Sequence, residues 1–183
     1  MPHRLFIAIR PPEPVRDRLV DTMEGLEGAR WVDEENLHLT LRFVGEVERP
    51  LANDLAAALG QIVAAPFALT VDGVGHFDRR NRHGSRPRAL WARVPRYGAL
   101  RELQAKVEHA CQSAGLAPEQ RRFTPHITLA RLGGDVGDIG GWLARFGDLK
   151  AGPWDVTEFI LYESHLGHSG EFYEPITAFA LRN

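Results

Sequence analysis

His38-Leu39-Thr40-Leu41 and His126-Ile127-Thr128-Leu129 repeat one pattern, an imidazole and a hydroxyl two positions apart inside an apolar run. On an extended strand residues i and i+2 share a face. Each His therefore projects with its Thr, while Leu39, Leu41, Ile127 and Leu129 project the other way into a core. Unperturbed imidazole titrates near pH 6.5, so it can take a proton from water when neutral and give one to a leaving oxygen when charged. The hydroxyls can hold non-bridging phosphate oxygens, and a nearby arginine can carry the charge that develops. Two such faces turned toward each other across a cleft supply what an in-line phosphoryl displacement requires. Either tetrad alone reads as readily as a hydrogen-bonded core histidine; two copies, each keeping both polar residues, favour chemistry.

The elements that must position these residues follow from periodicity. Residues 4–9, 37–44, 67–77, 89–94, 125–132, 154–164 and 171–182 read as strands. Helices are expected over 11–26, with prolines at the start and Val15, Leu19, Met23 and Leu26 on one face, over 49–63, over 97–115 and, more briefly, around 138–147. The helix at 97–115 carries Leu100, Leu103, Val107 and Ala110 or Cys111 as an apolar stripe. Residues 78–88 have no periodicity, five arginines and turn-forming Asn, Gly, Ser and Pro, which predicts a loop. The order strand, helix, strand with tetrad, helix, strand occurs twice. Phe6 to His38 spans 32 positions and Trp91 to His126 spans 35, while His38 to Val71 and His126 to Phe159 each span 33. An internal duplication is expected, roughly 1–77 and 89–164 within a single domain over 1–183, closed by the strand 171–182.

Composition bounds the rest. The 183 residues are 44% hydrophobic and 25% charged with a net charge of −2, which fits one compact unit and names no partner. Cys111 is the one cysteine, which excludes an internal disulfide framework. The apolar start is too short and too soon broken by Arg10 and two prolines for a signal peptide, and no apolar run is long enough to span a bilayer. A reducing, cytoplasmic setting, a monomer and no membrane are expected. His109 and Cys111 do not share a helix face, and neither a Cys-x-x-Cys nor a His-Glu-x-x-His pattern occurs, so no metal site and no cofactor are expected.

The doubled His-x-Thr-Leu, with RLFIAI and two prolines at the start, WV-x-x-ENLHLTLRFVGE at 31–46, FTPHITLAR at 123–131 and LYES at 161–164, resembles the 2H phosphoesterase superfamily over essentially the whole chain. Within it the chain resembles the RNA 2′,3′-cyclic phosphodiesterases, once called 2′-5′ RNA ligases. The resemblance implies a two-lobed α+β fold, antiparallel-type sheets lining a central cleft with helices outside, no metal, and opening of an RNA terminal 2′,3′-cyclic phosphate to a 2′-phosphate, with reversible 2′-5′ RNA ligation as a second activity. It implies His38 and His126 as the catalytic pair, Thr40 and Thr128 as phosphate-holding residues, and Arg131 as a phosphate ligand. Phe43, five positions after the first His, is the expected surface for the terminal base. If the base packs on Phe43 and Arg131 holds the phosphate, His38 faces the leaving oxygen as acid and His126 faces water as base.

Other readings stay open. A phosphodiesterase for small cyclic nucleotides uses the same pair, and a module that grips phosphate termini without turnover would sooner use Arg or Lys than two histidines. Arg42 shares the His38 face by parity and could reach the cleft, or be an exposed strand-end residue. Trp91 could stack a base or sit in the core. His165 and His168 are expected in a turn.

Overall fold

The computed structural model describes residues 1–95 and 97–183. The described residues form ten strands and four α-helices: β1 (His3–Ile9), α1 (Glu13–Val20), β2 (Ala29–Trp31), β3 (Leu39–Val47), α2 (Arg49–Gly60), β4 (Phe67–Asp72), β5 (Val74–Asn81), β6 (Gly84–Arg93), α3 (Gly98–Ser113), β7 (His126–Leu132), α4 (Gly140–Phe146), β8 (Lys150–Val156), β9 (Glu158–Gly167) and β10 (Gly170–Ala180). One antiparallel sheet runs β10-β9-β1-β3-β7-β6-β5, with β2 also paired to β7, and β4 and β8 form a separate two-stranded ribbon. This is the α+β architecture that the sequence leads one to expect.

The sheet has a packed face and an open one. Leu5, Ile7, Ile9, Leu39, Leu41, Leu90, Ile127 and Leu129 are buried in one core with Val15 and Leu19 of α1, Leu55 and Leu59 of α2, and the α3 stripe Leu100, Leu103, Val107, Ala110 and Cys111. The alternate residues of β1, β3 and β7 stand on the other face, where Phe6, Ala8 and Tyr162 form a small second cluster. Among the described residues no helix is long and apolar enough to cross a membrane.

Several boundaries differ from periodicity. The single strand expected over 67–77 is two: Gly73, at φ +89°, turns the chain so that β4 pairs β8 while β5 joins the main sheet. Only Gly adopts that conformation without strain. Residues 154–164 divide in the same way between β8 and β9. Helix α1 stops at Val20 because the Thr22 hydroxyl donates to the Leu19 carbonyl and Trp142 Nε1 donates to the Thr22 carbonyl, which fixes the chain in a turn. The predicted loop 78–88 is instead the end of a hairpin. Arg79 pairs Arg86, Arg80 pairs Ser85 and Asn81 pairs Gly84, so ladder hydrogen bonds order a stretch whose side chains show no alternation.

Candidate active site

β3 and β7 lie side by side yet pair at one position, Leu39 with Ile127. Stepping the antiparallel register outward sets His38 opposite Thr128 and Thr40 opposite His126, all four on the open face. The imidazoles occupy one diagonal of this quadrilateral and the hydroxyls the other, and Cβ atoms across such a diagonal lie about 7–8 Å apart. That span leaves room for one tetrahedral group between two ring nitrogens. Past the single pair the strands part, and β2 takes up β7 from Ala29 to Trp31.

Both rings are held alike. His38 Nδ1 lies 2.6 Å from the Asn36 carbonyl oxygen and His126 Nδ1 lies 2.6 Å from that of Thr124. A carbonyl oxygen only accepts, so each Nδ1 carries the proton and each neutral ring presents its Nε2 lone pair outward. Aromatic walls match too. Phe6 lies 4.9 Å from the His38 ring with Tyr173 edge-on at 5.2 Å; Trp91 lies 5.9 Å from the His126 ring with Phe77 edge-on at 4.8 Å. Burial holds the His38 ring down to about 4, against the Asn36 hydrogen bond, with His126 and Arg131 adding positive field and Glu171 opposing it. Burial lowers His126 as well, against the Thr124 hydrogen bond and with help from Arg88. Both rings rest neutral, ready to accept a proton.

The residues five positions after each His reach this face through a bulge. Ala8 pairs Thr40 while Ile7 pairs Arg42, so Leu41 is an extra residue in β3; Trp91 pairs Thr128 while Leu90 pairs Ala130, so Leu129 is the extra residue in β7. A bulge moves every later side chain to the opposite face. Phe43 and Arg131, core-facing by plain alternation, are thereby exposed on the histidine face. The same shift corrects the parity reading of Arg42. Its side chain is 8% exposed on the helix side, where Nε donates to Glu108 Oε2 at 2.6 Å and Nη1 lies 3.6 Å from Glu119.

A family model described as "LigT like Phosphoesterase" matches residues 9–86 and 94–173. This chain belongs to the LigT-like phosphoesterase family. An RNA 2′,3′-cyclic phosphodiesterase of Aeropyrum pernix is 35% identical over 150 residues, 80% of this chain and 83% of that protein. One from Escherichia coli K12 is 32% identical over 189 residues, covering 98% and 97%. The crystal structure of Escherichia coli LigT complexed with 3′-AMP superposes with a TM-score of 0.79 at 28% identity over all of both chains.

In this LigT-like chain the structure brings His38, Thr40, His126, Thr128 and Arg131 to one face, with Phe43 reaching it through its stack on Phe6 at 5.9 Å. The strands cross antiparallel, so the field of Arg131 falls on His38, and the cation acting on His126 is Arg88. Phe6, Tyr173, Phe77 and Glu171 were not singled out as site residues. Phe6 and Trp91 stand at matching places before the two tetrads, and that spacing was the signal for the first; β10 and β5 deliver Tyr173, Glu171 and Phe77 by long-range pairing, for which the local sequence has no sign. Trp91 is neither core nor free: it lies half-buried over Gly75, where an added Cβ would come 2.5 Å from the ring. His165 sits on β9 rather than in a turn, bonded to Glu174 at 2.8 Å. With Glu163 it forms a trio whose ligand atoms lie within 4.8 Å of one another. Glu163 pairs Leu5 and Glu174, so the trio stands on the face away from the histidines and takes no part in their chemistry.

Proposed function

We propose that the protein opens RNA terminal 2′,3′-cyclic phosphates by paired-histidine acid and base catalysis. The observation that carries this is the diagonal crossing of the two tetrads, each ring anchored through Nδ1 to a backbone carbonyl. In-line displacement puts the attacking water and the leaving ribose oxygen on opposite sides of phosphorus. One Nε2 takes the proton from water as the new P–O bond forms; the other ring, protonated, gives its proton to the ribose oxygen as the old bond breaks. Thr40 and Thr128 hold the non-bridging oxygens from the other diagonal, and Arg131 carries the charge that develops. Phe43, 44% exposed, offers the terminal base a stacking surface. The enzymes named RNA 2′,3′-cyclic phosphodiesterase that this chain resembles favour the RNA reading over a small cyclic nucleotide.

The doubled element order, with β1 before β3 as β6 before β7 and β4–β5 after as β8–β9, supports an origin by internal duplication within one domain. Incubation with a short RNA ending in a 2′,3′-cyclic phosphate tests the function. Chromatography should resolve a 2′-phosphate product; predominant 3′-phosphate would mean the ribose lies the other way round, and no ring opening would reject the activity. A 5′-hydroxyl of a second RNA that takes the place of the attacking water would open the ring to a 2′-5′ bond with the same ribose oxygen leaving, so such joining is expected at high RNA concentration.

A further inference from the structure

The hairpin of β5 and β6 carries charge in an arrangement that costs stability. Arg79 pairs Arg86 directly, and one strand further across the sheet Arg30 of β2 pairs Arg131 of β7. Directly paired side chains share a face, and like charges so placed repel. Gly75 pairs Trp91 and Phe77 pairs Ala89, and Ala89 also pairs Arg131, so stepping by two residues sets both arginine pairs on the histidine face. Asp78, bonded to His76 Nδ1 at 2.8 Å, stands on the other face with Arg80. Among the described residues no carboxylate forms a salt bridge with Arg30, Arg79, Arg86, Arg88 or Arg131, whose charges are therefore not neutralised within the strip.

The charged strip is continuous with the imidazoles. Arg88 lies over the Phe77 ring at 5.3 Å, and Phe77 meets the His126 ring edge-on. At the far end Arg79, Asn81 and Arg86 line a hollow of about 270 Å³ with Pro87, Leu132, Gly133 and Gly134. Leu132 is six residues along β7 from His126, about 20 Å at 3.3 Å per residue. Five unpaired guanidinium groups on one face of a chain of net charge −2 make a local basic track, and a local track calls for a linear polyanion. A duplex is too wide to thread a strip that ends between Phe43 and the two histidines.

We propose that this strip binds the phosphate backbone of the single-stranded RNA leading up to the cyclic end, from Arg131 and Arg88 beside the histidines to the Arg79–Arg86 pair. The inference rests on the phosphodiesterase reading, and it makes the substrate an oligonucleotide rather than a mononucleotide. The hollow at Arg79 and Arg86 then receives a phosphate roughly three nucleotides from the reacting one.

The test compares Arg79→Ser/Arg86→Ser with Arg80→Ser, which removes a charge from the opposite face of the same hairpin. The double variant should raise KM several-fold for a decanucleotide ending in a cyclic phosphate and leave kcat/KM for a mononucleoside 2′,3′-cyclic phosphate unchanged. Each lost contact on a single strand lowers the log–log salt slope by about 0.7, so the pair should lower it by about 1.4, and Arg80→Ser should lower it by nothing. Anisotropy of a 5′-labelled decanucleotide ending in a 3′-hydroxyl separates this inference from the activity, because it needs no turnover. If binding of that probe depends on Arg79 and Arg86, the track stands whatever the protein does to a cyclic phosphate. Equal effects of the double variant on both substrates, the same effect from Arg80→Ser, or duplex RNA bound as tightly as the single strand would each overturn it.

Discussion

At His38 and His126 one hydrogen bond sets the tautomer: a carbonyl accepts the Nδ1–H and leaves the Nε2 lone pair on the open side. Replacing either ring with alanine should cost about 10²- to 10⁴-fold in turnover, and the double variant should cost less than the product of the two, since the rings act as one unit. A nitrophenyl phosphodiester, whose leaving group needs no acid, should restore one single variant and not the other; restoration of both or of neither would contradict separate acid and base roles. The pH dependence follows from the lowered rings. The proposed mechanism needs one ring charged and the other neutral, and both free-enzyme values lie below 6.5. The profile of kcat/KM, which reports the free enzyme, should therefore peak on the acid side of 6.5. A bound phosphodiester anion favours the charged ring, so kcat should peak at higher pH than kcat/KM. The stability sign is the reverse of the acid requirement. A folded value below the unfolded one means that the unfolded chain binds more protons between pH 6.5 and about 4, so stability is full above 6.5 and falls through that window. Thermal melts of His38→Ala should lose part of that fall; an unaltered slope would show that His38 is not the buried neutral ring described.

Among the elements, the bulges in β3 and β7 decide which side chains reach the histidine face. Arg42 and Arg131, four and five positions after their histidines, exchange the faces that plain alternation gives them. One is buried against Glu108 and Glu119 on α3 and its C-terminal loop; the other is exposed beside His38. Arg42→Ala strands two carboxylates and should destabilise by about 3 kcal/mol with turnover per folded molecule unchanged. Arg131→Ala should leave the melting temperature within a degree or two and lower turnover by roughly 10²-fold. Denaturant melts and active-site-normalised kinetics on the two variants check this, and swapped outcomes would place the bulges wrongly.

Over the whole molecule, the sheet separates two clusters that composition alone would merge. Its open face holds the imidazoles, and its opposite face holds Glu163, His165 and Glu174, with His3 Nδ1 2.7 Å from Glu163. No carboxylate trio faces the histidines among the described residues. Excess chelator should therefore leave turnover of a cyclic phosphate unchanged, even where an added divalent ion shifts the melting temperature through the far trio. Loss of turnover on chelation, restored by a divalent ion, would show that a metal takes part after all.

The amino-acid sequence determined what is local and periodic. The tetrads at His38 and His126, the strands that carry them, the α3 stripe and the α+β alternation all follow from apolar spacing, because a residue's face depends on its neighbours two, three or four positions away. Tertiary structure decided the rest. Residues 78–81 and 84–88 became strand because partners across the hairpin satisfied their backbone, and Arg42 went inward because β1 paired β3 with one residue left over. Arg131 came to His38 because β3 and β7 meet antiparallel at a single pair. Alternation along one strand fixes faces only while the ladder stays in register, and whether it does depends on which strand lies alongside, a choice made by chain segments far apart in sequence.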